Sequence, residues 1–146
     1  MHTALLNNGS LVVRDIKPSD TNYILATWSK GILRECPFRW MSSVVWRKYH
    51  AIMEQLLQKA GVVVAANPED EDHIIGYGIF SHFDVPVLHW VYVKNKFRGR
   101  GIAKGIVQEA IPQFPDQPFA YTHSCQVMQK RAGDWHGYYD PFFVWS

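Results

Sequence analysis

The sequence predicts a mixed α/β fold of one domain, a single sheet with helices on both faces. Three observations point there. Short β-branched runs and helical stripes alternate along the chain in the order β-α-α-β-β-β-α-β-α-β. Residues 87–93 (Val-Leu-His-Trp-Val-Tyr-Val) are apolar on both faces, as a central strand covered from both sides must be. With 47% hydrophobic and 19% charged residues, the chain holds enough apolar material for one core, and no repeat or Gly/Ser linker divides residues 1–146.

Residues 10–16 hold the first strand, where Leu11-Val12-Val13 suits a pleated, half-buried surface. Lys17-Pro18-Ser19-Asp20 starts the first helix, because proline is preorganised for a first turn and Asp20 complements the positive end of the dipole. Tyr23, Ile24, Thr27, Trp28, Gly31 and Ile32 follow at helical spacing until residues 35–39, with Pro37, break it. In the second helix Val45, Tyr49, Ile52, Met53, Leu56 and Leu57 form one stripe, with Ser42 or Ser43 to cap it and Gly61 to end it. Residues 62–66 and 74–80 are hairpin arms joined by a solvated acidic turn at 67–72; Gly76 and Gly78 in the second arm either make room at a cleft floor or mark a bulge. After the strand at 87–93, a basic turn at 94–101 enters a third helix carrying Ile102, Ala103, Ile106, Val107, Ala110 and Ile111, stopped by Pro112. A proline-rich loop leads to a short strand at 119–122, a short polar helix at 124–131 and a last strand or strands within 138–145.

Composition excludes several classes. A net charge of +2 lacks the basic excess of a DNA-coating protein. Two cysteines, Cys36 and Cys125, are too few for a disulfide framework, and no His/Cys spacing matches a metal site. No apolar run reaches membrane-spanning length, and the amino terminus has neither the basic region nor the apolar length of a signal peptide. The expectation is a cytoplasmic protein, monomer or homodimer, with no membrane partner. Six Trp, seven Tyr and eight Phe supply much of the buried area and can also line a cleft.

The chemistry concentrates in residues 87–110. Glycines at a helix entry let backbone amides converge on an anion, and the helix's unpaired N–H groups favour negative charge there. Lys94, Lys96, Arg98 and Arg100 add to that field. A phosphate or pyrophosphate site at the start of the third helix follows; the alternative is a tight turn with solvated charges. The turn has no Gly-Lys-Ser/Thr ending, and Gly99-x-Gly101 next meets glycine at Gly105, so neither a nucleoside-triphosphate loop nor a dinucleotide fingerprint fits.

Arg98-Gly99-Arg100-Gly101-Ile102-Ala103, after a strand ending Val91-Tyr92-Val93, resembles motif A of the GCN5-related N-acetyltransferases (GNAT), whose Gln/Arg-x-x-Gly-x-Gly/Ala pattern is met by Arg98, Gly101 and Ala103. The element order is similar over nearly the whole chain, as in short, stand-alone bacterial and bacteriophage members. The resemblance implies acetyl-CoA as cofactor and transfer to a primary amine of an unidentified small-molecule or protein acceptor. It implies that residues 98–103 hold the pyrophosphate: Arg98, Gly99, Arg100, Gly101, Ile102 and Ala103. It further implies that Val91, Tyr92 and Val93 border the pantetheine arm, in a gap where the sheet splits between its fourth and fifth strands.

Many members of that family carry a tyrosine acid on the helix after the fifth strand; residues 124–131 contain none. Ser124, Cys125, Tyr138 and Tyr139 are the substitutes within reach by sequence. His89 and His123 are the candidate proton relays, since an imidazole titrates near neutrality, although a hydrogen-bonded core histidine is the alternative for each. Glu54 and Asp84 are weaker. Arg34, Phe38, Arg39, Trp40, Trp46, Arg47 and Lys48 interleave cations and rings on the expected acceptor side. Together with the missing tyrosine they leave open a non-catalytic binding protein of the same fold, engaging a protein or, less favoured, a nucleic acid.

Overall fold

The computed structural model describes residues 4–6, 11–35, 43–123 and 126–141. Its elements are β1 (Ala4–Leu6), β2 (Leu11–Asp15), α1 (Thr21–Glu35), α2 (Ser43–Lys59), β3 (Gly61–Asn67), β4 (Asp70–His82), β5 (Pro86–Val93), α3 (Ile102–Ala110), β6 (Phe119–Tyr121), α4 (Gln126–Trp135) and β7 (Gly137–Tyr139). They form one seven-stranded sheet in sequential order, antiparallel from β1 to β5 and parallel from β5 to β7. The mixed α/β architecture is the expected one, with β1 as an addition.

Ile24, Trp28 and Ile32 recur every four residues on α1 and are fully buried, and on α2 Met53 and Leu56, three residues apart, are 1% and 9% exposed. The Tyr77 hydroxyl donates to the Ile24 carbonyl at 3.1 Å, fixing α1 against β4. On the other face of β4, Gly76 and Gly78 seat α3. A Cβ at Gly78 would lie 2.8 Å from Ile106 Cγ2, and one at Gly76 3.1 Å from Ile106 Cδ1. The room these glycines make is therefore for a helix rather than for a cleft floor; the bulge of that strand falls beside them, at Ile75.

Two local expectations change. The acidic segment is not a six-residue turn, because Asn67 pairs with Asp70 and only Pro68 and Glu69 make the bend. Arg14 holds this extension in place, its Nε and Nη2 both donating to the Glu71 carbonyl, at 3.0 and 2.7 Å. The same guanidinium forms a buried pair with Asp20, Nη1 to Oδ2 at 2.7 Å. Burial pushes the Asp20 carboxyl up, but hydrogen bonds from Arg14 and the Lys17 amide and the Arg14 charge outweigh it, leaving the group below 3.8. The last helix also extends beyond 131 to Trp135, anchored by that buried indole edge-on to Phe114 at 5.5 Å. Cys36, Phe38, Arg39, Trp40, Ser42, Ser124, Cys125 and the final strand beyond residue 141 lie outside the described residues.

Candidate active site

The site begins where two strands part. β5 runs for eight residues and β6 for three. They pair only at Val87–Ala120 and Leu88–Tyr121, with a last backbone bond from the Thr122 amide to the Leu88 carbonyl at 3.1 Å. Beyond that bond residues 89–93 have no β6 backbone partner among the described residues. Lys94 donates its amide to the Ile75 carbonyl across β4, so strand alternation turns the peptide groups of Val91 and Val93 the other way, into the gap. The Val93 carbonyl accepts from Arg98 Nε at 2.9 Å, which leaves the Val91 peptide groups open.

A bulge places His89 at the fork. Ile79 pairs with Trp90 and Phe80 with Leu88, so His89 is the extra residue. Simple alternation puts His89 on the face of Val91 and Val93; the bulge overturns this and turns it to the α1 side with Trp90. There its Nε2 meets Ser81 Oγ at 2.9 Å and its Nδ1 meets Thr122 Oγ1 at 3.2 Å. His123 Nδ1 reaches the same Thr122 hydroxyl at 2.8 Å. Trp28, Tyr49 and Trp90 surround the His123 ring edge-on, at centroid distances of 6.1, 5.7 and 5.9 Å. His89 and His123 are 1% and 3% exposed. Burial pushes both imidazoles down to about 4, in His123 against an opposing hydrogen bond to the His89 backbone.

At the far end of β5 the chain makes a 3-10 turn and reaches α3 through Gly99 and Gly101, with φ of 80° and 77°. That left-handed conformation suits glycine, and a Cβ at either position would meet nothing within 4 Å. The first amide bonded within the helix is that of Gly105, to the Gly101 carbonyl at 3.1 Å. The amides of Gly101, Ile102, Ala103 and Lys104 precede it and have no helical acceptor.

A cavity of about 800 Å³ joins the fork's open edge to this turn. Trp90, Val91, Tyr92 and Val93 line it from β5, and Arg98, Gly99, Gly101, Ile102 and Ala103 from the turn. Arg100 is absent from the lining; its guanidinium lies over the Phe97 ring at 5.5 Å. Two helical stripes close the walls: Thr27, Lys30, Gly31 and Arg34 of α1, and Val127, Lys130, Arg131 and Asp134 of α4. Both follow the i, i+3, i+4, i+7 spacing of one helix face, the only mark they leave in the sequence. Lys30, Lys104, Lys130, Arg131 and Asp134 thus join the site without having been singled out. Among the described residues six of the lining side chains are cationic and one, Asp134, is a carboxylate, so the cavity is a basic one that suits phosphates.

The expected proton-transfer groups lie elsewhere. Neither His89 nor His123 lines the cavity, and both are consumed in the buried network at the fork. Tyr139 is 48% exposed on β7, its ring 5.5 Å from that of Tyr121, and does not line the cavity either. Tyr92 is the one phenol among the described residues that does. Its ring packs on Tyr77 at 5.3 Å and Tyr23 at 6.5 Å, and burial pushes the phenols of those two neighbours above their ordinary range. Of the residues expected to meet an acceptor, Arg34 lines the cavity, whereas Trp46 stacks on Tyr49 and Arg47 and Lys48 are exposed. Glu54 pairs with His50 on the outer face of α2. Among the described residues, no group of three His, Cys, Asp or Glu side chains can hold a metal, and no helix is long and apolar enough to cross a membrane.

Residues 25–138 match the model of the acetyltransferase (GNAT) family. Solved structures share the fold at low identity. A possible acetyltransferase from Clostridium difficile 630 is 13% identical, with a TM-score of 0.55 over 85% of this chain and 86% of its own. A Corynebacterium glutamicum protein described as histone acetyltransferase HPA2 and related acetyltransferase is 19% identical, with a TM-score of 0.53 over 71% of each chain. The apo form of YjaB from Escherichia coli is 16% identical, with a TM-score of 0.50 over 70% of this chain and 67% of that one. No curated protein matches.

Proposed function

The chain belongs to the GNAT acetyltransferase family, and from that membership we propose that it binds acetyl-CoA in the cavity between β5, α3 and α4 and transfers the acetyl group to a primary amine. The observation that carries this reading is the continuity of two features. An open glycine turn with four unsatisfied amides sits at one end of the cavity, and an unpaired strand edge at Val91 runs along it. A diphosphate fits the first, because amides and helix dipole favour an anion where no side chain intrudes. An amide-bearing arm fits the second, because Val91 offers a donor and an acceptor as a strand edge does.

In this reading Gly101, Ile102 and Ala103 donate amides to phosphate, while Arg98 and Lys104 supply charge beside them and Lys130 and Arg131 face them from α4. Arg98 has a second task, tying the turn to Val93 and so setting its distance from the strand. When bound, acetyl-CoA supplies an activated thioester: the acceptor nitrogen bonds to the acyl carbon, the C–S bond breaks, and the proton lost by the amine balances the one taken up by the thiolate. Asp134 and Tyr92 are the lining groups that can hold that proton, and His89 and His123 position the fork.

Gly101→Leu tests the assignment. Its side chain enters space that is open in the fold, so the cost to folding is the left-handed strain, on the order of 1 kcal/mol. Isothermal titration with acetyl-CoA should show binding to the parent and none to a folded Gly101→Leu variant. Unchanged affinity in that variant overturns the assignment. The second reading, binding without transfer, is favoured because His89, His123 and Tyr139 do not line the cavity. Cofactor binding with no thiol release across a broad amine panel would establish it.

A further inference from the structure

Among the described residues the six cavity cations come from two groups of elements, and α1 and α3 cover opposite faces of the sheet. Arg98, Lys104, Lys130 and Arg131 belong to the turn, α3 and α4. Lys30 and Arg34 belong to α1, which covers the other face. Gly31, between them in sequence, lets α1 come so close that a Cβ there would lie 2.5 Å from Trp90 Cζ2. Lys30 and Arg34 thus flank, on α1, the point where the helix meets Trp90, and all three line the cavity. Trp90 lies three residues before Val93, where Arg98 ties down the turn, and three strand residues span about 10 Å. The α1 pair therefore lines a stretch of the cavity set back along β5 from the turn. Among the described residues neither cation is paired with a carboxylate.

We propose that Lys30 and Arg34 form an anion subsite for the acceptor, so that the amines this protein acetylates carry a carboxylate or phosphate beside the nitrogen. The inference rests on the acetyltransferase reading above and narrows its substrate class. An ammonium-rich acceptor such as a polyamine meets two like charges at that wall, whereas an acidic amine meets an Arg fork and a Lys charge spaced i, i+4 on one helix face. Repulsion of the wrong class and attraction of the right one act together.

The test separates the two levels. Acetyl-CoA is titrated first into the parent and into Lys30→Glu/Arg34→Glu, and the acceptor titrations are then run at cofactor concentrations that saturate each protein; failure of the parent to bind overturns the acetyltransferase reading itself. Glutamate, phosphoethanolamine and spermidine are then titrated into the CoA-loaded proteins and assayed for thiol release with acetyl-CoA. The acidic amines should bind the parent and lose about tenfold or more in affinity or KM in the double variant, and spermidine should gain. The carboxylate and phosphate arms show which anion is preferred. Equal binding of the acidic amines to both proteins, no binding of either acidic amine to the parent, or a parent preference for spermidine overturns the proposal.

Discussion

Acid should unfold this protein in a window set by two buried histidines. His89 and His123 share one hydroxyl, that of Thr122, whose single hydrogen can be donated to only one of the two Nδ1 atoms. At least one ring must therefore donate to that oxygen, and burial holds both rings neutral. Each has a pKa near 4 in the fold against 6.5 when free. Between those values the unfolded chain binds more protons than the native one, so stability is complete above pH 6.5 and falls as the pH drops towards 4. At pH 5 the loss is about 2 kcal/mol for each imidazole, about 4 for the pair, from 1.36 kcal/mol per unit of displacement. For a domain of this size that lowers Tm by roughly 10 °C between pH 7.5 and 5. Asp20 adds nothing in that interval, since its carboxyl is held below 3.8 and its contribution is lost only at lower pH. The assay is thermal melting by circular dichroism at both pH values, for the parent and for His123→Phe, an aromatic replacement for the ring boxed by Trp28, Tyr49 and Trp90. The variant should lose about half of the pH dependence. Identical pH slopes in the two proteins, or a parent melting point unmoved by acid, would refute the reasoning.

Three further outcomes follow from particular contacts. Gly78→Ala should destabilise by about 1–3 kcal/mol in urea titration, because its Cβ would press on the buried Ile106 at 2.8 Å, and Ile106→Val should not be additive with it; full additivity would show that α3 is not seated there. Arg14→Met leaves the Asp20 carboxylate buried without its partner, with an expected loss of about 3–5 kcal/mol. A loss below 1 kcal/mol would mean that water reaches the pair. Arg98→Ala should weaken acetyl-CoA binding about tenfold and flatten its salt dependence, as removal of a charge-assisted contact does; an unaltered salt slope in calorimetry would place Arg98 outside the phosphate site.

The parts of the molecule legible in the sequence are those specified locally. Residues 87–103 announce a covered strand, a turn that needs left-handed glycines, and a helix start, because each requirement acts within a few residues. Tertiary effects hid the rest. Asp70 to Asp72 read as part of a turn by composition, yet they extend β4 because Arg14, 57 residues away from Glu71, takes its carbonyl. β1 is three residues long and shows no alternation to read. Alternation itself misplaced His89, since one extra residue in β5 exchanges the faces of all that precede it. The α1 and α4 cavity stripes look like ordinary solvated helix faces until the fold brings them opposite one another.

That bulge joins the fold to the site. A parallel partner can satisfy β5 only as far as its own strand extends, and β6 stops at Tyr121. The chain then needs a reason to leave, and Thr122 and His123 provide it: their side chains turn inward to the His89 network, where a continued ladder would need a regular strand. Val91 is consequently an edge residue in the middle of a sheet, with its donor and acceptor facing a cavity large enough for water. Water is a replaceable partner there, and a ligand bearing amides can take its place without loss of hydrogen bonding. The buried imidazoles therefore hold open the strand edge at Val91, although neither of them touches the cavity.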